Sequence, residues 1–394
     1  MIYAAITLNN KKIEATLLKR EVIMQGLENA IAAQTKLSDI DGKIGRLMIG
    51  GFALQDIALQ ARYEEIAYLL WFGKLPTQTE LVDFCNALAQ HRKLSPATLD
   101  ILQQAASHAL SVIEALRLGV DSLSLTLDTN NQTLTALTIL AATPSIVATY
   151  WRLLHKLAPI APDTKLSHAA NFLYQLNGTQ PSEIEARALE IYLNATIEHG
   201  LNASTFTARV IASTQSDFLS AIIGAIGALK GPLHGGAPGP ALQMVFDIGT
   251  AERAQVYLTE KLQRGERLMG FGHRVYKTRD PRADVLAQAA KVLYETSSDK
   301  ALYQLAMTVE TIALRLLKEY KPERPLYTNV EFYTALLLHG LHIDEALFTP
   351  IFTISRTGGW LAHCFEQIAT GRLIRPSSEY VGANNLTWMP IEAR

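Results

Sequence analysis

Three stretches of the chain carry side chains able to do chemistry in settings that a packed helical protein does not require. The first is Gly231-Pro232-Leu233-His234-Gly235-Gly236-Ala237-Pro238-Gly239-Pro240. Such a loop lets a ligand approach the backbone closely and exposes the N-terminus of the helix that follows. His234 is its acid–base group; a plain helix–helix turn with an incidental histidine is the competing reading. The second runs Gly270-Phe271-Gly272-His273-Arg274-Val275-Tyr276-Lys277-Thr278-Arg279-Asp280-Pro281-Arg282, with four cations and a histidine within ten residues. Arg282 falls in the first turn of a helix opened by Asp280-Pro281, where a cation opposes the helix dipole and is well placed for an anion. A solvated basic loop is the alternative. The third joins Tyr327-Thr328-Asn329-Val330-Glu331-Phe332-Tyr333 to Ile354-Ser355-Arg356-Thr357-Gly358-Gly359-Trp360. Glu331 between Val330 and Phe332 is expected to be buried, with its pKa raised toward the general-base range. Arg356, embedded in apolar sequence, needs a carboxylate from the protein or from a ligand.

Together the three read as a pocket for a small polyanion with two histidines and a carboxylate at hand. Other chemistries are excluded by pattern. There is no G-x-x-x-x-G-K-[ST] loop, G-x-S-x-G elbow, H-E-x-x-H or paired C-x-x-C, and Gly270-Phe271-Gly272 lacks the third glycine and preceding strand of a dinucleotide fingerprint. His339 and His342 read as a helix-end pair rather than a metal site. Lys plus Arg number 36 against 37 Asp plus Glu, so no basic excess argues for nucleic acid.

The elements that must hold these groups are mostly helical. The 394 residues are 48% hydrophobic and 19% charged, enough apolar material for a large core in one large domain or two to three ordinary ones. The first twenty residues alternate around Asn9-Asn10-Lys11-Lys12 as a small hairpin, and Gly42, Gly45, Gly50 and Gly51 punctuate a second extended stretch. From about Ala58 the periodicity is helical. A helix is predicted over 181–198, with Pro181 in its first turn, a stripe of Ile184, Ala188, Ile191 and Ala195, and Gly200 as its stop. Others are predicted over Phe218 to Lys230, from near Ala241, from Asp280-Pro281, and from Thr349-Pro350 to Gly371. Two cysteines, Cys85 and Cys364, suit a reducing compartment. With no basic n-region, apolar h-region or apolar run of eighteen, a soluble cytoplasmic protein is expected.

The motifs resemble those of the citrate synthase family. G-P-L-H-G-G matches residues 231–236, G-F-G-H-R-V-Y-K-x-x-D-P-R-A matches 270–283, and N-A-S-T-F-T-A-R matches Asn202 to Arg209. The similarity extends from near Gly26 to Arg375-Pro376. The resemblance implies a mainly α, two-domain helical fold with a small N-terminal β element. It also implies a mobile CoA-binding small domain over 236–342, with 1–235 and 343–394 forming the large domain. It implies a homodimer that condenses acetyl-CoA with oxaloacetate and hydrolyses citryl-CoA, with no metal or other cofactor and no nucleic-acid or membrane partner.

Residue by residue, the resemblance makes His234 the donor to the thioester carbonyl and His273 the donor that polarises the oxaloacetate ketone. Glu331 falls at the base that takes the methyl proton. His199, Arg282 and Arg356 match oxaloacetate ligands, Arg375 an arginine supplied across the dimer interface, and Lys277 a basic residue on the CoA phosphates. Departures stand beside these matches. Most members have Asp where Glu331 stands, and the extra methylene displaces the carboxylate by somewhat over ~1 Å on an unchanged backbone, a misplacement that costs roughly 100-fold in rate. Bacterial members that carry N-V-E-F-Y with E-H-G-x-N-A-S-T imply a backbone adjusted to the longer acid. The usual R-G-Y reads Gly50-Gly51-Phe52, and Ser377 stands where R-P-R is common. Two further readings are 2-methylcitrate synthase using propionyl-CoA and a catalytically weak copy serving binding or assembly.

Overall fold

Glycine decides where the N-terminal strands turn. The computed structural model describes residue 27 and residues 30–235, 238–296, 299–323 and 325–394, so the hairpin expected in the first twenty residues lies outside the described residues. Strands β1 (Ser38–Asp41), β2 (Arg46–Ile49) and β3 (Phe52–Ala53) form an antiparallel sheet in that order, with Ser38 opposite Ile49 and Met48 opposite Ala53. Leu47 and Ile49 point into the core on alternate positions. The β1–β2 turn serves a second purpose. A Cβ on Gly42 would sit 2.3 Å from the Val275 carbonyl oxygen, and the Gly42 carbonyl accepts from Lys277 N at 2.8 Å. The sheet therefore buttresses the cation-rich loop through bare backbone.

Helices then carry the chain. Helices α1 (Leu54–Ala58), α2 (Tyr63–Phe72), α3 (Gln78–Gln90), α4 (Pro96–Ser107) and α5 (Val112–Asp121) lead to the long α6 (Gln132–Leu154). Next come α7 (His168–Asn177), α8 (Glu183–Thr196), α9 (Ala203–Ser213), α10 (Phe218–Leu229) and α11 (Pro238–Ile248). Then follow α12 (Ala251–Gln263), α13 (Pro281–Thr296), α14 (Lys300–Tyr320), α15 (Val330–Gly340) and α16 (Phe348–Thr370). Residues Lys36–Arg394 make one compact unit. Helix α6 is long and apolar enough to cross a membrane, yet 78% of its most apolar window is buried within the fold, as befits a core helix.

The predicted helices exist with shifted ends, and each shift has a local cause. The helix expected over 181–198 is α8. Ser182 is its N-cap, accepting from Glu185 N while Glu185 reaches back, so Pro181 precedes the cap instead of entering the first turn. The helix ends at Thr196, leaving Glu198 and His199 beyond it, with Gly200 at φ +60. Helix α10 stops one residue short of Lys230, and α11 starts at Pro238, ahead of Ala241, because proline suits a first turn. Helix α16 begins at Phe348, continuing a 3-10 turn over Glu345–Leu347, and closes on Gly371 at φ +70.

Helix α16 is the axis of one half of the molecule, packing on α2, α6, α8, α9 and α10. Its Gly358-Gly359 pair lets α8 come close: a Cβ at Gly359 would lie 2.2 Å from the Ile197 carbonyl oxygen. In the other half α13 packs on α15, α12 on α14 and α11 on α15, while α13 also lies against α8.

Candidate active site

His234 sits in the turn after α10, half-buried, its backbone N–H donating to the Gly231 carbonyl at 2.9 Å. Its Nε2 lies 3.3 Å from Ser204 N and 2.8 Å from Ser204 Oγ. Ser204 is fixed in the first turn of α9 by Asn202, whose side chain caps the helix with its Oδ1 2.8 Å from Ser204 Oγ, and by Trp360 Nε1, which donates to that hydroxyl at 3.2 Å. A backbone N–H can only donate, so Nε2 accepts and the ring proton resides on Nδ1. Burial, reinforced by the charge of Arg356, pushes the pKa of His234 down to about 4. His234 is thus a neutral Nδ1–H donor at neutral pH.

His273 is the mirror case. Its loop is stitched to residues 327–329: Gly272 N donates to the Tyr327 carbonyl at 2.7 Å, Asn329 N to the Gly270 carbonyl at 2.9 Å, and Asn329 Nδ2 to the Gly272 carbonyl at 2.8 Å. Val275 N and Tyr276 N both donate to His273 Nδ1, at 3.0 and 3.1 Å. The proton is therefore on Nε2, which stands 3.3 Å from Arg282 Nη2. Two donors this close call for an oxygen between them. Burial first, then Arg282, lowers the His273 pKa to about 4.

Glu331 is the second residue of α15, its N–H donating to the capping Asn329 Oδ1 at 3.0 Å. Asn329 thereby ties the His273 loop to the helix that carries Glu331. Burial raises the Glu331 pKa, and Arg282 offsets part of that rise. Glu331 is half-buried where sequence predicted burial, and its pKa moves in the predicted direction.

The arginines are less alike than their sequence settings suggested. Arg282, in the first turn of α13, is gripped by the fully buried Asp280, at 3.0 Å on its Nε and 2.8 Å on its Nη2. Arg279 is held by Asp284 and Glu310. Arg356 has no carboxylate salt bridge among the described residues. Its Nε donates to the Thr196 carbonyl at 2.7 Å, at the C-terminus of α8, and its guanidinium lies 4.7 Å from the Phe352 ring centroid. Burial lowers its pKa to about 10, with Glu198 opposing and Arg282 adding to the fall. Two buried guanidinium groups thus repel each other across a site that a dianion would relieve.

His199 completes the cluster. Its ring centroid is 5.8 Å from that of His273. Burial, with Arg282 and Arg356, drives its pKa well below the usual range. Glu198 holds the turn, accepting from Gly200 N at 2.6 Å and from Ser38 Oγ at 2.9 Å, while its other oxygen faces His363 Nε2 at 3.1 Å.

Two expected site residues are exposed and share no hydrogen bond with the cluster among the described residues. Arg375 is exposed in the irregular segment after α16, and Lys277 is exposed with its Nζ donating to the Arg274 carbonyl at 3.0 Å. Conversely, Ser204, Asn329, Asp280 and Tyr276 touch the site directly and were not singled out from sequence. All four lie inside or beside the quoted motifs, and that proximity was the available signal.

The chain matches, over residues 26–377, the sequence model of a family described as "Citrate synthase, C-terminal domain". It is 40% identical to the citrate synthase of Haloferax volcanii, over 94% of this chain and 99% of the relative. It is also 36% identical to the 2-methylcitrate synthase of Shewanella oneidensis, over 94% and 97%. The crystal structure of citrate synthase from Pyrobaculum aerophilum superposes with a TM-score of 0.85 at 35% identity, covering 94% of this chain and 95% of that one. A ternary complex of Thermoplasma acidophilum citrate synthase with carboxymethyl coenzyme A and oxaloacetate superposes with a TM-score of 0.84 at 29% identity, over 94% and 99%.

Proposed function

The chain belongs to the citrate synthase family, and from that premise we propose that it condenses acetyl-CoA with oxaloacetate and hydrolyses the citryl-CoA formed. The observation that carries this reading is the set of opposed tautomers: one neutral histidine with its donor on Nδ1, another with its donor on Nε2 beside Arg282. A thioester methyl is a very weak acid, so a carboxylate removes its proton only where a donor stabilises the oxygen as charge builds there. Glu331 takes the proton, and His234 Nδ1–H binds the thioester oxygen. The enol carbon attacks the ketone carbon of oxaloacetate, whose oxygen lies between His273 Nε2–H and Arg282. His273 Nε2–H and Arg282 stabilise the charge that develops on that oxygen, and the proton Glu331 took from the methyl balances the one the new hydroxyl gains. Water then attacks the thioester carbonyl, releasing citrate and CoA.

Arg282, Arg356 and His199 hold the two carboxylates, with Arg375 contributed by a second copy in a homodimer. Lys277, exposed on the His273 loop, meets the CoA phosphates. Residues 236–342 act as the small domain that closes over the large one and excludes water until the carbon–carbon bond has formed. Hydrogen-bond donors do the polarising throughout, with no metal or other cofactor in the scheme. Cys85 and the buried Cys364 are unpaired, in keeping with a cytoplasmic enzyme.

Propionyl-CoA is the competing acyl donor, favoured by the 2-methylcitrate synthase relative. One methyl in an apolar pocket is worth roughly 10- to 200-fold in kcat/KM. Steady-state assays with oxaloacetate and each thioester decide the matter. We expect acetyl-CoA to have the higher kcat/KM. A preference for propionyl-CoA would assign 2-methylcitrate synthesis, and turnover of neither would leave a binding or assembly role.

A further inference from the structure

Tyr276 has no part in the scheme above, yet its side chain touches more of the proposed oxaloacetate site than any residue assigned to it. It is buried at 3% exposure in the loop between α12 and α13. Its hydroxyl shares a 3.1 Å hydrogen bond with His199 Nε2. Its ring lies 4.9 Å from the His273 ring at a 38° tilt, and 5.6 Å from that of His199. The Arg282 guanidinium stands over its face, 5.9 Å from the centroid. Among the described residues its side chain makes no hydrogen bond or ring contact with Ser204, Trp360 or His234, the group that serves the thioester.

We propose that Tyr276 is a positioning residue for oxaloacetate, its hydroxyl setting the orientation of His199 and its ring bracing His273 and Arg282. A neutral imidazole has one donor and one acceptor nitrogen, and a partner on one fixes what the other offers. Among the described residues no carboxylate hydrogen-bonds to the His199 ring, and the tyrosyl hydroxyl is what holds its Nε2. Burial pushes the Tyr276 pKa further up, which keeps the hydroxyl protonated and able to donate or accept. The ring adds a face for a guanidinium that Asp280 grips only from one side, through Nε and Nη2. Both effects act on the dicarboxylate half of the cleft and spare the thioester half.

This rests on the functional reading above, and the test separates the two. Calorimetric titration of oxaloacetate and, separately, of CoA is carried out on the full-length enzyme, on Tyr276→Phe and on Tyr276→Leu. Phe keeps the ring and the backbone N–H to His273 and removes only the hydroxyl. Loss of one hydrogen bond predicts oxaloacetate binding weaker by about 2- to 13-fold, with CoA affinity unchanged. Leu, which also removes the ring, should weaken oxaloacetate further. In steady state, Tyr276→Phe should raise KM for oxaloacetate and leave KM for acetyl-CoA in place. Unchanged oxaloacetate binding in Tyr276→Phe, or a parallel loss for both ligands, would overturn the proposal and leave Tyr276 a packing residue. Failure of the wild-type enzyme to bind oxaloacetate would instead strike the functional reading itself.

Discussion

At the scale of single residues the site runs on held protonation states. The two donor histidines differ because different nitrogens are occupied by backbone N–H groups, and burial beside arginines keeps both neutral. Glu331 is pushed the other way. Its folded-state pKa lies above that of the unfolded chain, so its ionised form weakens the fold as pH rises through the raised value, and the penalty is absent below the unfolded-chain value. Glu331→Gln should therefore lower kcat by about 100- to 10,000-fold, the usual worth of a general base, while leaving oxaloacetate affinity near wild type. It should also melt at a higher temperature than wild type at neutral pH, with the gap closing as pH falls through the Glu331 titration. Retention of most of the turnover would place the base elsewhere. A melting point below wild type at neutral pH would contradict the burial argument.

At the scale of elements, the positions of the candidate site groups depend on where glycine lets backbones touch. Helix α16 reaches the end of α8 through Gly358 and Gly359, and this approach brings Arg356 Nε within 2.7 Å of the Thr196 carbonyl. The Gly359→Ala methyl would meet the Ile197 carbonyl oxygen at 2.2 Å, a contact that only backbone movement relieves. Overpacking of this kind costs about 1–3 kcal/mol. We expect a lower denaturation midpoint together with weaker oxaloacetate binding, since Arg356 and His199 flank the contact. Wild-type affinity in a destabilised Gly359→Ala enzyme would show that the α8–α16 contact supports the fold without aligning the site.

At the scale of the whole molecule, Arg375 is the test of assembly. It is exposed within one chain, as the proposed contribution to a second subunit's site requires. Chains inactivated by His273→Ala and by Arg375→Ala, mixed and re-dimerised, form heterodimers in which one site has both intact groups. Random pairing of a symmetric dimer predicts recovery of about a quarter of wild-type activity. No recovery in verified heterodimers would remove Arg375 from the partner's site.

Sequence alone determined the helical class, since the 3.6-residue stripe of Ile184, Ala188, Ile191 and Ala195 and the stop at Gly371 are local properties of the chain. The same holds for the residue types of the site: a histidine among glycines and cations among neutral sequence are legible without any fold. Helix ends were less legible, because a cap such as Ser182 competes with Pro181 for the same boundary and only hydrogen-bond geometry chooses between them. What tertiary structure decided was pairing. Arg282 finds Asp280 two residues away while Arg356, 74 positions further on, finds a backbone carbonyl of α8 and, among the described residues, no carboxylate salt bridge. Periodicity cannot tell those outcomes apart, because a guanidinium's partner depends on which elements are packed against it. Tautomers are settled in the same way: His234 and His273 look alike in sequence, and it is Ser204 N for one and Val275 N with Tyr276 N for the other that determine which nitrogen can donate.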